Sequence, residues 1–123
     1  MKKTVLVVED SRTDRLLIAS LLQNAGLNVP LADSVTAAER WLADNGVPDA
    51  IVLDIVMPDD TGLELCRRLR ADPLTASVPI LFCSSKDQEF DQFWALRQGG
   101  NAYITKPFDP NELVTKVQKY LGV

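Results

Sequence analysis

The chain has 123 residues, of which 46% are hydrophobic and 24% are charged, and its formal net charge is -4. This length and composition are typical of one soluble globular domain with a real hydrophobic core. The basic residues form no run, so we expect no nucleic-acid partner, and no apolar stretch approaches the roughly 20 residues of a membrane span. The sequence has no histidine, which excludes histidine general bases, Ser-His-Asp triads and most zinc sites.

Cysteine usage and the N-terminus both favour the cytosol. Cys66 and Cys83 lie in apolar segments, and we interpret both as reduced core residues. The chain starts with a charged Met1-Lys2-Lys3, but the apolar run over 4–8 is too short for the core of a signal peptide. We therefore expect a cytoplasmic protein that does not contact a membrane.

The first half of the chain predicts two strand–helix pairs. The β-branched apolar run over 4–8 predicts a first strand, and the apolar stripe after it predicts a helix that ends at Gly26. Residues 27–32 predict a second strand, which Pro30 places at an edge of the sheet because proline cannot donate to a ladder. Ser34 begins a second helix.

The third predicted strand carries the most informative acid. Four apolar residues over 50–53 predict a strand buried on both faces, as in a parallel sheet, and Asp54 follows at its carboxyl end. Open α/β sheets hold their ligands at that end. A turn over 58–62 comes next, and the capping-box spacing of Thr61 and Glu64 predicts a third helix.

The last part of the chain predicts two more pairs, with strands over 78–83 and 102–105 and helices over 87–98 and from the cap Asp109 to about Leu121. Five strands that alternate with five helices indicate an α/β fold, with a parallel sheet and helices on both of its faces. We expect a single domain over 1–123 with no output domain. With the flavodoxin-like strand order 2-1-3-4-5, the topological switch point lies at the first and third strands.

Polar side chains converge at this switch point. Glu9 and Asp10 follow the first strand, Asp54 the third, Ser84 the fourth and Lys106 the fifth. Carboxylates this close repel one another by about 4 kcal/mol per pair at an effective dielectric near 20. A bound hard cation such as Mg²⁺ would remove that repulsion. Three acids, a hydroxyl and a lysine around a nucleophilic carboxylate predict a phosphoryl-transfer site.

The same strand ends carry four motifs: Val8-Glu9-Asp10-Ser11, Leu53-Asp54-Ile55-Val56-Met57-Pro58 with Gly62, Ser84, and Lys106-Pro107-Phe108. With these motifs the chain resembles, over its full length, the CheY-like receiver domains of two-component response regulators. The resemblance implies that Asp54 is the phosphoacceptor. It also implies that Mg²⁺ binds Glu9, Asp10, Asp54 and the backbone carbonyl of Val56.

The resemblance further implies a switch around the phosphoryl group. Lys106 would contact that group after modification, and we expect it to pair with Asp54 before. Ser84 would be the switch hydroxyl and Tyr103 the switch aromatic, which turns inward as the phosphoryl group draws in Ser84. The Lys106–Pro107 bond would be cis.

Two residues near the site are expected to set how long a phosphoryl group lasts. Family members often carry a polar residue at the position of Val56, which cannot align an attacking water, whereas Lys86 could reach across. The chain is also similar to PilH-type regulators of type IV pilus motility in one region, through Lys86-Asp87-Gln88-Glu89, Asp91, Trp94 and Arg97-Gln98-Gly99.

We therefore expect a stand-alone phosphorylation switch, which catalyses only its own modification. A histidine kinase or phosphotransfer protein would supply the phosphoryl group, and a downstream protein would bind the fourth helix, fifth strand and fifth helix. The fourth helix carries Phe90, Phe93 and Trp94 at i, i+3 and i+4. That spacing favours a stripe packed into the core, with part of the cluster left for a partner.

Two other classes of protein use related features. A haloacid-dehalogenase-type aspartyl-phosphate hydrolase also has an aspartate nucleophile at a strand end, but it has a second acid two positions on, where this chain has Val56. A flavodoxin-like FMN-binding protein has a phosphate loop rich in glycine and hydroxyls after the first strand, where Glu9 and Asp10 would repel a phosphate.

Overall fold

Strands and helices alternate throughout residues 2–123, the part of the chain that the computed structural model describes. The five strands are β1 (Val5–Val8), β2 (Leu31–Ala32), β3 (Ala50–Leu53), β4 (Ile80–Ser84) and β5 (Ala102–Thr105). The five helices are α1 (Arg12–Asn24), α2 (Val35–Asn45), α3 (Gly62–Ala71), α4 (Glu89–Arg97) and α5 (Pro110–Leu121). All strand pairs are parallel, and the order β2-β1-β3-β4-β5 confirms the predicted flavodoxin-like α/β fold.

The central strands β1, β3 and β4 are buried on both faces, because alternate side chains enter two separate cores. Leu6 and Leu53 lie in the core under α2, α3 and α4. Val5 and Val52 lie in the core under α1 and α5. Helices thus cover both faces of the sheet, and the loops at its carboxyl edge are left to form a site.

The second strand is shorter than the predicted 27–32, since only its last two residues join the sheet as β2. Pro30 has no N–H and offers only its carbonyl, which accepts from the N–H of Val7 at 3.0 Å. The predicted edge position of this strand is confirmed.

Ser34, Thr61 and Asp109 each cap a helix as predicted. Thr61 Oγ1 accepts from the N–H of Glu64 at 3.1 Å, but the reciprocal half of the predicted capping box does not form. The N–H of Thr61 donates instead to Asp60 Oδ1 at 2.8 Å. The helix therefore starts where the spacing predicted, through a different set of hydrogen bonds.

The aromatic cluster of α4 lies on the surface, so the interpretation of a stripe packed into the core is wrong. Phe90, Phe93 and Trp94 are 64%, 55% and 44% exposed, and Ala95 is the buried residue of this helix. Because a small side chain faces the sheet, α4 contributes little to the core and directs its large apolar side chains outward.

The two cysteines are free and buried, as predicted for core residues. Burial raises the pKa of the Cys83 thiol to about 12 and also raises that of Cys66, so both are protonated at neutral pH. Within residues 2–123, no helix combines the length and the apolar character that a membrane crossing requires.

Candidate functional site

The carboxyl ends of β1 and β3 bring three carboxylates together. Val8 and Leu53 are paired in the register of these neighbouring strands, so the residues that follow them meet at the same edge. One carboxylate oxygen each from Glu9, Asp10 and Asp54 lies within 4.8 Å of the others. Glu9 and Asp54 are buried, whereas Asp10 is exposed, so the cluster opens toward solvent on one side.

Lys106, at the end of β5, supplies a cation to this cluster. Its Nζ donates to Asp54 Oδ2 and to Asp14 Oδ2, both at 3.0 Å, and to Glu9 Oε1. An ammonium has three N–H donors, and these three carboxylates use all of them. The structure therefore places Lys106 against Asp54, where it was expected before modification, and the Lys106–Pro107 bond is cis.

Burial and charge act in opposite directions on the site. Burial raises the pKa of Glu9 to about 7, because lost hydration outweighs the hydrogen bonds from Lys106 and the Ser11 N–H. Burial also disfavours the charged form of Lys106, but hydrogen bonds to Glu9, Asp14 and Asp54 outweigh it and raise the pKa of Lys106. Lys106 is thus a permanent cation at neutral pH.

The donor set of the cluster fits a hard divalent cation. Glu9, Asp10 and Asp54 offer carboxylate oxygens, which Mg²⁺ prefers, and the single ammonium of Lys106 cannot balance all three acids. Val56 lies two residues beyond Asp54, where its backbone pairs with Thr61, and the residue is 54% exposed.

Ser84, Lys86 and Tyr103 form a hydrogen-bonded group beside the carboxylates. Ser84, at the end of β4, is fully buried, and its Oγ accepts from the N–H of Lys86 at 3.3 Å. The Tyr103 hydroxyl donates to the carbonyl of Lys86 at 2.6 Å. Tyr103 was expected to turn inward on modification. In this structure Tyr103 is already buried, so no inward turn is left for it to make.

The acidic turn over 58–62 directs its carboxylates away from the cluster. Asp59 accepts from Val35 N at 3.1 Å and from Thr36 N at 2.8 Å, at the start of α2. Hydrogen bonds from Thr36 lower the pKa of Asp59 to about 2. Asp60 pairs with Arg68 at 3.1 Å. The turn is therefore fixed to α2 and α3 and adds no ligand to the cluster.

Sequence reasoning missed Asp14 and the close approach at Gly62. Asp14 lies in the first turn of α1, three residues after Ser11, where it has the appearance of a helix-capping acid. A Cβ on Gly62 would lie 2.0 Å from the carbonyl oxygen of Asp54. Gly62 was assigned to a turn, but its absent side chain is what lets α3 begin directly against the backbone of Asp54.

Comparison with known families decides what kind of protein carries this site. The family model for the response regulator receiver domain matches residues 5–118. The chain belongs to the response regulator receiver family. Receiver domains are signalling switches of two-component systems, so the match supports neither the dehalogenase nor the flavodoxin alternative.

Two relatives and one solved structure illustrate the similarity. The receiver domain is 34% identical to protein PilH of Pseudomonas aeruginosa over 96% of this chain and 97% of PilH. It is 39% identical to the phosphate regulon transcriptional regulatory protein PhoB of the same species over 97% of this chain. The chain spans about half the length of PhoB, 52%. The receiver domain of the sensor histidine kinase PA1611 from Pseudomonas aeruginosa superimposes with a TM-score of 0.89 at 29% identity, with all of both chains covered, and holds a magnesium ion in its active-site cleft.

Proposed function

We propose that this receiver domain accepts a phosphoryl group on Asp54 in a Mg²⁺-dependent reaction and that the modification changes its binding to a protein partner. The donor is the phosphohistidine of a histidine kinase or phosphotransfer protein, since the chain itself has no histidine. The observation that carries the proposal is the convergence of buried Asp54 with two other carboxylates and the Lys106 ammonium at the end of β3.

Glu9, Asp10 and Asp54, with the backbone carbonyl of Val56, are the groups that would hold Mg²⁺. The solved PA1611 receiver domain, with a magnesium ion in its cleft, supports this assignment. When bound, the ion would offset the negative charge of the transferring phosphoryl oxygens.

The residues of the chain itself orient the nucleophile. The N–H of Ile55 donates to Asp54 Oδ1 at 2.6 Å and Lys106 donates to Oδ2, so the carboxylate is held in one orientation. One of its oxygens attacks phosphorus, and an O–P bond forms as the bond from phosphorus to the donor nitrogen breaks. The imidazole leaves with that electron pair, and Lys106 and Ser84 then contact the phosphoryl oxygens.

The first prediction tests the nucleophile. Asp54→Asn removes it and should abolish labelling by acetyl phosphate plus Mg²⁺, measured as a mass increase of the intact protein. Asp44→Asn is the matched control, because Asp44 is an exposed acid on α2, away from the carboxylate cluster, and it should label like the parent. Equal labelling of the two variants would refute Asp54 as the phosphoacceptor.

The proposed output surface is α4 with β5 and α5. Phe90, Phe93 and Trp94 are exposed there, and Arg97 lies over the Phe93 ring at 5.5 Å. Tyr103 of β5 connects this side to Ser84 through Lys86. Exposed aromatic residues of this kind are enriched at the centres of protein interfaces, which supports a protein partner.

We propose that the domain acts alone in the cytoplasm, in the control of pilus-based motility. The similarity to PilH over nearly the whole of both chains supports that role. Deletion of the gene should then alter surface motility, and a gene carrying Asp54→Asn should fail to restore it. Normal motility in both strains would rule out this pathway.

A further inference from the structure

Asp14 is the one partner of Lys106 among its three carboxylates that lies outside the group able to hold a metal. It belongs to the first turn of α1, whereas Lys106 follows β5, so their contact at 3.0 Å joins elements from the two ends of the chain. The Asp14 side chain is about one-third exposed, at 35%, and that of Lys106 is 12% exposed.

The position of Asp14 in its helix would by itself suggest an ordinary capping role. Ser11 caps α1 and accepts from the N–H of Asp14 at 3.3 Å, and in a capping box the acid at that position bonds back to the N–H of the cap. Here the N–H of Ser11 donates to Glu9 Oε2 at 3.0 Å instead. The Asp14 carboxylate therefore does not cap the helix and instead accepts a hydrogen bond from the Lys106 ammonium.

The other two partners of Lys106 are also candidate metal ligands. Glu9 and Asp54 belong to the carboxylate cluster, and a divalent cation there would draw their oxygens toward itself. Asp14 is the partner for which that cation does not compete. Its contact is a charge-assisted hydrogen bond, which fixes the direction of the remaining N–H donors of Lys106.

We propose that Asp14 is a positioning residue, which anchors the Lys106 ammonium so that one of its N–H donors stays directed at the phosphoryl group on Asp54. The inference rests on the proposed function. Because Asp14 carries the same sign of charge as a phosphoryl group, its removal through charge alone would strengthen the binding of an anion. Anchoring predicts the opposite sign.

The first measurement needs no phosphoryl group. In the unmodified protein, acylation by acetic anhydride is followed at each lysine by mass spectrometry. Asp14→Ala should raise the rate at Lys106 about tenfold, since the ammonium loses a partly exposed ionic partner, and should leave Lys116 and Lys119 unchanged. Asp14→Glu should restore protection, and Asp44→Ala, at an exposed acid of α2, should have no effect. Unchanged acylation of Lys106 in Asp14→Ala would overturn the inference.

The second measurement is the affinity for beryllofluoride, a phosphoryl analogue, at saturating Mg²⁺. Asp14→Ala should weaken binding about tenfold in the parent and have no effect in a Lys106→Ala background, because the two residues then act as one unit. Unchanged or stronger binding in the parent, or an equal loss in both backgrounds, would overturn the positioning role. If the parent itself binds no beryllofluoride and takes no label, the proposed function fails, and the acylation result alone decides whether Asp14 anchors Lys106.

Discussion

At the scale of single residues, the ionisation of Glu9 is expected to influence cation binding near neutral pH. Because burial raises its pKa to about 7, this carboxyl is half protonated near neutral pH before any cation binds. A cation that uses the Glu9 carboxylate must displace that proton. We therefore predict that Mg²⁺ affinity falls by up to about tenfold for each pH unit below 7 and levels off above it.

Titration of Mg²⁺ at pH 6 and pH 8, followed by tryptophan fluorescence or NMR, measures this dependence. Glu9→Gln should bind Mg²⁺ weakly and with the same affinity at both values. The contribution of Glu9 to folding stability changes with pH in the opposite direction to the Mg²⁺ affinity. The folded metal-free protein retains the Glu9 proton above its ordinary pKa of 4.5, so this group makes the free energy of unfolding decrease as pH rises from about 4.5 to about 7. A parent whose Mg²⁺ affinity is equal at both pH values would contradict the raised pKa.

Val56 is the residue expected to set the lifetime of the phosphoryl group. It is 54% exposed two residues beyond Asp54 and has no side-chain hydrogen-bonding group with which to align a water. We predict that Val56→Asn shortens the lifetime of the acyl phosphate, measured as decay of the labelled protein after the donor is removed. Val47→Asn changes another exposed valine, 47% exposed and away from the site, and serves as control. Equal decay rates in the two variants would exclude Val56 from the control of turnover.

At the scale of elements, α3 begins in direct contact with the end of β3, and Gly62 makes that contact possible. A Cβ there would lie 2.0 Å from the Asp54 carbonyl oxygen, which is backbone and cannot move without displacing the rest of Asp54. Gly62→Ala should therefore lower the free energy of unfolding by about 1–3 kcal/mol and slow the labelling of Asp54.

Gly26→Ala is the matched control for this prediction. Gly26 has a φ of 87° with open space around it, so an alanine there costs about 1 kcal/mol through backbone strain alone. Chemical denaturation and acetyl phosphate labelling of both variants separate the two effects. Labelling of Gly62→Ala as fast as that of Gly26→Ala would mean that the contact with Asp54 is unimportant to the reaction.

The elements could largely be predicted from the sequence, because buried parallel strands are continuous apolar runs bounded by glycine, proline and capping residues. The prediction failed where a pattern had two explanations. The spacing of Phe90, Phe93 and Trp94 fits a buried stripe as well as an exposed one, and only the position of Ala95 against the sheet decides between them. Asp14 was missed for the same kind of reason, since its spacing from Ser11 suggests a cap.

At the scale of the whole molecule, the hydrogen-bonded group of Ser84, Lys86 and Tyr103 joins the end of β4, beside the carboxylate cluster, to β5 of the proposed output surface. Each charge-assisted hydrogen bond that Ser84 and Lys106 would make to a phosphoryl oxygen of the proposed modified form is worth about 1.5–3 kcal/mol. A shift of a two-state equilibrium from 1:99 to 99:1 needs about 5.5 kcal/mol, so the two proposed bonds together would supply most of it and neither would do so alone. Since Tyr103 already lies inside, the response we expect is a rearrangement of Ser84, Lys86 and α4 around a buried ring.

Amide NMR of the protein with beryllofluoride and Mg²⁺ tests this account most directly. We predict shifted signals around Asp54 and a second set over residues 84–98 and at Tyr103, with neither set present in Asp54→Asn. Lys106→Ala should keep its folded spectrum and lose most of the second set. Shifts confined to the carboxylate cluster and its immediate neighbours would contradict the claim that modification of Asp54 reaches the surface of α4.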